Sequence, residues 1–303
     1  MNPSIQSRRY GCAIGAALGD AFGMPLEFGP AIPETRLVRT LTPGRLSTGT
    51  ITDDTEMALA LAESLATRKP LDPADLAQRF LDWYHSNPPD IGGHTANTMR
   101  HLAKGLPWDQ AAARTQAEHP GSAGNGSLMR CWPVAVAYWD QRELLFSESA
   151  LQSNVTHQHE DCIAACIFTN LLIAELISGV DLRQACQSAL QGAAYPAWVE
   201  SVLLAAPTRR REELPNTGWV RHTLAAALWA VLSTSSYSEA VIQAANLGDD
   251  ADTTAAVAGA IAGAAYGLEA IPPAWRANLR ALWPPQAPKE WREPDFLALI
   301  DRL

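Results

Sequence analysis

Two acidic clusters carry the strongest chemical signal in this chain. Thr52-Asp53-Asp54-Thr55-Glu56 opens one apolar-periodic run, and Gly248-Asp249-Asp250-Ala251-Asp252-Thr253-Thr254 opens another. Alone, the first reads as an ordinary helix start. Asp53 would be the N-cap, Glu56 the far member of a capping box, and the acids would favour the helix dipole. The second holds three carboxylates within four residues, more than one cap needs. Such carboxylates repel one another unless a cation or solvent screens them. Both clusters set Thr beside Asp and offer only oxygen ligands: carboxylates, hydroxyls and backbone carbonyls. That donor set suits Mg2+, Mn2+ or Ca2+ rather than zinc. Acids converging from two segments can hold a metal pair, which clamps attacking and leaving oxygens. Spacing alone does not bring the clusters together, since they stand about 200 residues apart.

Three weaker signals lie between them. Gly124-Asn125-Gly126-Ser127 precedes a run read as helix over 127–139. Glycines there would let backbone N–H groups approach an anion at a helix N-terminus, although the same residues also make a plain turn. His157 and His159 form a His-x-His pair, a pattern as typical of a surface loop as of a site. Cys162 and Cys166 follow, four residues apart, which raises zinc. No CxxC pair accompanies them and the histidine spacing matches no common zinc pattern, so they read as apolar residues of a buried helix face.

The elements that must position these residues are helical. Alanine supplies 52 of the 303 residues, and strand-like alternation is nearly absent. That composition predicts closely packed helices. Asp72-Pro73-Ala74-Asp75 is a helix start, with Leu76, Phe80, Trp83 and Tyr84 on one face behind it. Further helical runs are expected at 9–22, 53–67, 95–104, 108–118, 127–139, 160–178, 181–192, 219–233, 238–245, 252–268 and 273–282. The connectors at 29–50, 86–94, 119–126 and 207–218 are too short and too unbiased for interdomain linkers. The expectation is a single compact all-α domain over 1–303. Gly11, Gly15, Gly19 and Gly23 recur every four residues, as do Gly259, Gly263 and Gly267. Each glycine costs a helix about 1 kcal/mol against alanine, so such a ridge has a use only where another backbone comes close. The two ridged helices are therefore expected to carry site residues at their ends. The uncharged 254–268 stretch is short and weakly hydrophobic, which predicts a buried helix and no membrane span.

A net charge of −9 argues against a general nucleic-acid binder but leaves room for a local phosphate site. Five scattered cysteines, with no apolar segment in MNPSIQSRRY, fit a reduced, cytoplasmic setting.

Taken in order, the pieces resemble the ADP-ribosylglycohydrolase family, in its dinitrogenase reductase-activating branch. They are Gly15-x-x-x-Gly19-Asp20-Ala21-x-Gly23 with Glu27 behind it, Ile51 to Glu56, Asp90-Ile91-Gly92, Gly124-Asn125-Gly126, Thr156-His157-x-His159, and Asn246-x-Gly248-x-Asp250-Ala251-Asp252-Thr253-Thr254. The resemblance implies an all-α fold and two Mg2+ or Mn2+ ions. The implied reaction removes ADP-ribose from a modified protein side chain, typically N-linked arginine. Serine-linked or small ADP-ribosides, and a catalytically silent ADP-ribose-binding homologue, are the alternatives. By position, Thr52, Asp53, Asp54, Asp250, Asp252 and Thr253 would hold the metals. Glu27, a metal ligand or a nearby acid, and Asp90, close to the scissile linkage, would be the catalytic carboxylates, with the base either of the two. The Gly124–Ser127 loop would hold ADP-ribose, His157 and His159 would line the distal pocket, and Trp219 would stack on adenine. Asp249 departs from the family pattern, which often has a second glycine there.

Overall fold

The computed structural model describes residues 2–303. Among them are fifteen α-helices: α1 (Ile5–Gly23), α2 (Asp53–Thr67), α3 (Pro73–His85), α4 (Gly93–Ala103), α5 (Trp108–Glu118), α6 (Trp132–Tyr138), α7 (Arg142–Asn154), α8 (Glu160–Ile177), α9 (Leu182–Gln191), α10 (Ala197–Ala205), α11 (Val220–Leu232), α12 (Tyr237–Ala245), α13 (Ala251–Tyr266), α14 (Pro273–Arg276) and α15 (Glu293–Ile300). One antiparallel hairpin pairs β1 (Ala281–Trp283) with β2 (Lys289–Trp291). No helix among the described residues is long and apolar enough to cross a membrane.

The glycine ridges explain the centre of the fold. A Cβ on Gly11 would stand 2.3 Å from the Gly263 carbonyl oxygen, and one on Gly15 2.4 Å from that of Gly259. Gly19 faces Ala255 and Gly23 faces Ala251 in the same way. Each step of four along α1 is a step of four back along α13, so the helices run antiparallel with backbones in contact. No residue with a side chain fits this seam on the α1 side, which is why four glycines are there despite their cost in helix propensity. The antiparallel sense sets the last turn of α1 against the first turn of α13. Around this pair a contiguous apolar cluster runs from Cys12 to Ile300, with α8, α11 and α12 among its walls. All five cysteines are free and buried within it.

Several expectations are corrected. The run 127–139 is helical only from Trp132; residues 126–130 form successive turns, with Leu128 N and Met129 N both donating to Asn125 O. Pro133 explains this, because proline fits the first turn of a helix and would clash with the Met129 carbonyl inside a longer one. The run 273–282 gives one helical turn and then a strand, with Leu279, Ala281 and Trp283 buried and Leu282 exposed in strand alternation. Helices α7, α10 and α15 were not expected. The buried face of α7 carries Glu148, Ser149, Gln152 and Ser153, so a search for apolar periodicity passes over it.

Candidate active site

The seam between α1 and α13 builds the site. Asp20, on the last turn of α1, is fully buried and accepts four hydrogen bonds from the start of α2. They come from Thr52 N (3.0 Å), Thr52 Oγ1 (2.8 Å), Thr55 N (3.2 Å) and Thr55 Oγ1 (2.5 Å). Asp20 therefore satisfies from outside the N–H groups that a helix normally leaves to its own cap. The capping-box reading of the first cluster is thereby corrected. Thr52 is the N-cap residue, Asp53 lies inside the helix, and Glu56 accepts instead from Trp83 Nε1 at 2.7 Å. Asp250, the N-cap residue of α13, makes no capping bond either; its carboxylate accepts from Asn125 Nδ2.

The acids freed from capping meet. Asp54 Oδ2 accepts from Thr253 Oγ1 at 3.3 Å, joining the two clusters across 199 positions of sequence. Asp54 Oδ1 is buried with no hydrogen-bond partner. Burial, then Asp252 and other neighbouring acids, pushes the Asp54 carboxyl well above the usual range. Burial and nearby acids do the same to Asp53 and Asp252, and burial raises Asp20 and Asp250 to about 6. Burial also raises Glu27, which follows the turn Met24–Leu26 at the end of α1. Glu27, Asp90 and Asp252 bring oxygens within 4.8 Å of one another. An orphaned buried carboxylate oxygen inside an all-oxygen, net-negative cluster fits a divalent cation that prefers oxygen ligands.

A cavity of about 460 Å³ opens over these acids. Of the expected site residues, Glu27, Asp53, Asp54, Asp90, Asp250, Asp252 and Thr253 line it, with Gly124, Asn125, Gly126 and His157 on its far wall. Asn125 fastens that wall, its N–H donating to Gly218 O at 3.0 Å and its amide to Thr223 Oγ1 at 2.8 Å. A Cβ on Gly126 would meet His157 Cε1 at 2.9 Å, so glycine there lets the ring sit against the loop. His157 is held by Thr156 Oγ1, itself bonded to the buried Arg130. Burial drives its pKa well below the usual value, so it is a neutral ring.

Four expected residues do not line the cavity. Thr52 is buried beneath it on Asp20. Ser127 is fully buried, bonded to Ser153 and Cys166. His159 caps α8, accepting from Asp161 N at 3.1 Å. Trp219 is 40% exposed next to Gly218, which does line the cavity, and its ring is backed by the Arg221 guanidinium 5.1 Å away. Arg221 is pinned in turn to buried Asp161 at 2.7 and 3.1 Å. Asp249 takes φ +50°, a left-handed conformation that glycine prefers and Asp tolerates. It exchanges 2.7 Å backbone bonds with Phe28 and Gly29.

The sequence reading missed three participants. Asp20 is one of them, and a lone acid in a glycine-ridged apolar helix is the signal that marks it. His94 lines the cavity and packs on His157 with centroids 4.5 Å apart. Arg45 donates to both Glu27 and Asp90.

The family model for ADP-ribosylglycohydrolase matches residues 1–303. The chain is 34% identical to the ADP-ribosyl-[dinitrogen reductase] glycohydrolase of Rhodospirillum rubrum, over 91% of this chain and 92% of that one. It is 35% identical to the ADP-ribosylarginine hydrolase Tri1 of Serratia proteamaculans, over 89% of this chain and 74% of that one. A solved structure described as an ADP-ribosylglycohydrolase-related protein complex superposes with a TM-score of 0.79 at 33% identity, covering 99% of this chain and 97% of that chain. A glycine seam that joins two acidic helix starts beneath one cavity thus agrees with likeness along the whole chain: it belongs to the ADP-ribosylglycohydrolase family.

Proposed function

We propose that this chain hydrolyses the bond between ADP-ribose and a protein side chain, with N-linked arginine the preferred linkage and two Mg2+ or Mn2+ ions as cofactors. The observation that carries the reading is the contact of Asp54 with Thr253, which unites two acid sets that capping leaves free. Relatives named as an ADP-ribosyl-protein glycohydrolase and an ADP-ribosylarginine hydrolase support the same chemistry.

In this reading Asp53, Asp54, Asp250 and Asp252 hold the ions with the hydroxyl oxygen of Thr253, and Thr52 steadies Asp20 beneath them. Bound there, the ions would orient the vicinal ribose hydroxyls and acidify a water. The chain does the rest. Gly124, Asn125 and Gly126 offer a backbone wall to the pyrophosphate, and neutral His157 and His94 floor it. Trp219 offers its exposed face to adenine. Carboxylates around the anomeric carbon stabilise the positive charge that develops on the sugar. Asp90 takes the fork of N–H groups of the leaving guanidinium and orients it. Glu27, whose burial raises its pKa, holds the guanidinium beside Asp90 with one oxygen and takes the proton of the attacking water on the other.

The test is release of ADP-ribose from an arginine-modified peptide with Mg2+, Mn2+ or EDTA, beside a serine-modified peptide. Metal-dependent release from the arginine peptide is expected. Tight ADP-ribose binding without release from either peptide would make the chain a silent binder.

A further inference from the structure

Arg45 lies in the irregular connector between α1 and α2, yet its guanidinium reaches into the acid cluster. Nη1 donates to Glu27 Oε2 and Nη2 to Asp90 Oδ2, and Nη2 stands 3.8 Å from Asp252 Oδ2. One planar fork thus spans two carboxylates, a match that a guanidinium makes and an ammonium does not. Phe28 completes the arrangement. Its ring is 77% exposed, held at φ +62°, with its centroid 5.8 Å from the Arg45 Cζ. An exposed aromatic in a left-handed conformation gains nothing from packing, whereas a ring beside a cation has a use.

We propose that Glu27, Asp90 and Phe28 form an alkylguanidinium subsite, which the chain's own Arg45 fills until a guanidinium on another molecule displaces it. Equating that molecule with a modified arginine rests on the function proposed above; the occupancy of the subsite does not. The Arg45 side chain is 31% exposed and the Asp90 side chain 26%, so solvent screens the Asp90 half of the pairing and a competitor can enter from that side, while Glu27, 7% exposed, forms the inner half. By contrast Arg130 is fully buried, with its guanidinium fixed to Gln152 and Thr156. As a tethered occupant, Arg45 competes at an effective concentration that no free ligand shares. An intruding guanidinium takes over both carboxylates at once, while an ammonium or a hydroxyl leaves one unpaired. The subsite therefore discriminates by the shape of the leaving group.

The experiment titrates butylguanidine and butylamine into Mn2+-loaded protein by calorimetry, for wild type, Arg45→Gln and Arg45→Lys, with circular dichroism checking the fold. Butylguanidine should bind Arg45→Gln about tenfold or more tighter than wild type, the scale of one charge-assisted hydrogen bond. Arg45→Lys should fall between them, and adding Asp90→Asn to Arg45→Gln should remove the gain. The proposal is overturned if wild type and Arg45→Gln bind butylguanidine equally, if butylamine gains as much, or if Mn2+ abolishes guanidine binding. ADP-ribose release is measured separately. A chain that fails to release it but shows the Arg45→Gln gain keeps the subsite and loses the proposed reaction.

Discussion

Replacing Gly19 by alanine tests whether the α1–α13 seam positions the site. The new Cβ would lie 2.0 Å from the Ala255 carbonyl oxygen, 2.5 Å from its carbon and 2.9 Å from Ala256 N. All three are backbone atoms, so no side chain can swing aside. Ordinary contact begins at 3.4 Å, and 3.4 less 2.0 requires the helices to part by about 1.4 Å. Alanine returns about 1 kcal/mol of helix propensity. Overpacking a close-packed interior costs about 1–3 kcal/mol, more where rigid atoms collide. Three rigid backbone contacts put the cost at the upper end, about 3 kcal/mol, so the expected net loss is about 2 kcal/mol, read as a fall in the urea midpoint at unchanged slope. The same parting separates Asp20 and Glu27 from Asp252, and a misplacement of about 1 Å near reacting groups can lower a rate about a hundredfold. Gly121→Ala is the control, since a Cβ there meets nothing within 4 Å. A Gly19→Ala protein as stable as wild type, with normal Mn2+ affinity, would refute the reasoning.

Asp54→Asn should raise the melting temperature in EDTA, by removing one of several crowded buried carboxylates, and abolish the further rise that Mn2+ gives wild type; an undiminished metal-induced rise would remove Asp54 from the ion site. Asp20 and Asp250 have folded pKa values raised to about 6 from 3.8, so the folded state holds their protons longer than the unfolded one. Metal-free stability, followed by urea midpoints, should therefore fall as pH rises from about 4 to about 6, and fall further above as Asp53, Asp54 and Asp252, which burial also raises, give up their protons. A midpoint that climbs through that window would contradict the assigned burial. Trp219→Ala should weaken ADP-ribose binding about ten- to a hundredfold by calorimetry, with Trp219→Phe recovering most of it and ribose 5-phosphate barely affected; equal losses for both ligands would show that Trp219 does not read adenine.

What the sequence revealed followed its periodicity. The glycine spacing announced the seam, and the oxygen-rich helix starts announced their chemistry, because both are local patterns of residue type. The meeting of Asp54 with Thr253 is a tertiary fact and leaves no local trace. Helix α7 escaped because its buried stripe is polar, satisfied by Leu71 N on Glu148, Asn170 on Ser149 and Arg130 on Gln152. Ser127 looked available beside two glycines, yet α7 and α8 claim its hydroxyl. Arg45 was invisible for the opposite reason: a lone basic residue in an aperiodic connector matches no template until the acids it reaches are known.

The antiparallel seam also constrains how the molecule comes into being. Its two strips of backbone lie at opposite ends of the chain, near residues 11–23 and 251–263. Contacts this remote close slowly, because the intervening chain must first be gathered in. Until α13 has been synthesised, α1 is a helix with glycine at every fourth position and nothing against it, too weak to persist alone. A growing chain therefore holds Asp53 and Asp54 but neither Asp250 nor Asp252, so the ion site proposed for these four acids does not yet exist. With the site proposed above, ion capture and completion of the core would become one late event, and translation arrested before α13 would leave an inert, aggregation-prone precursor rather than a partly active enzyme.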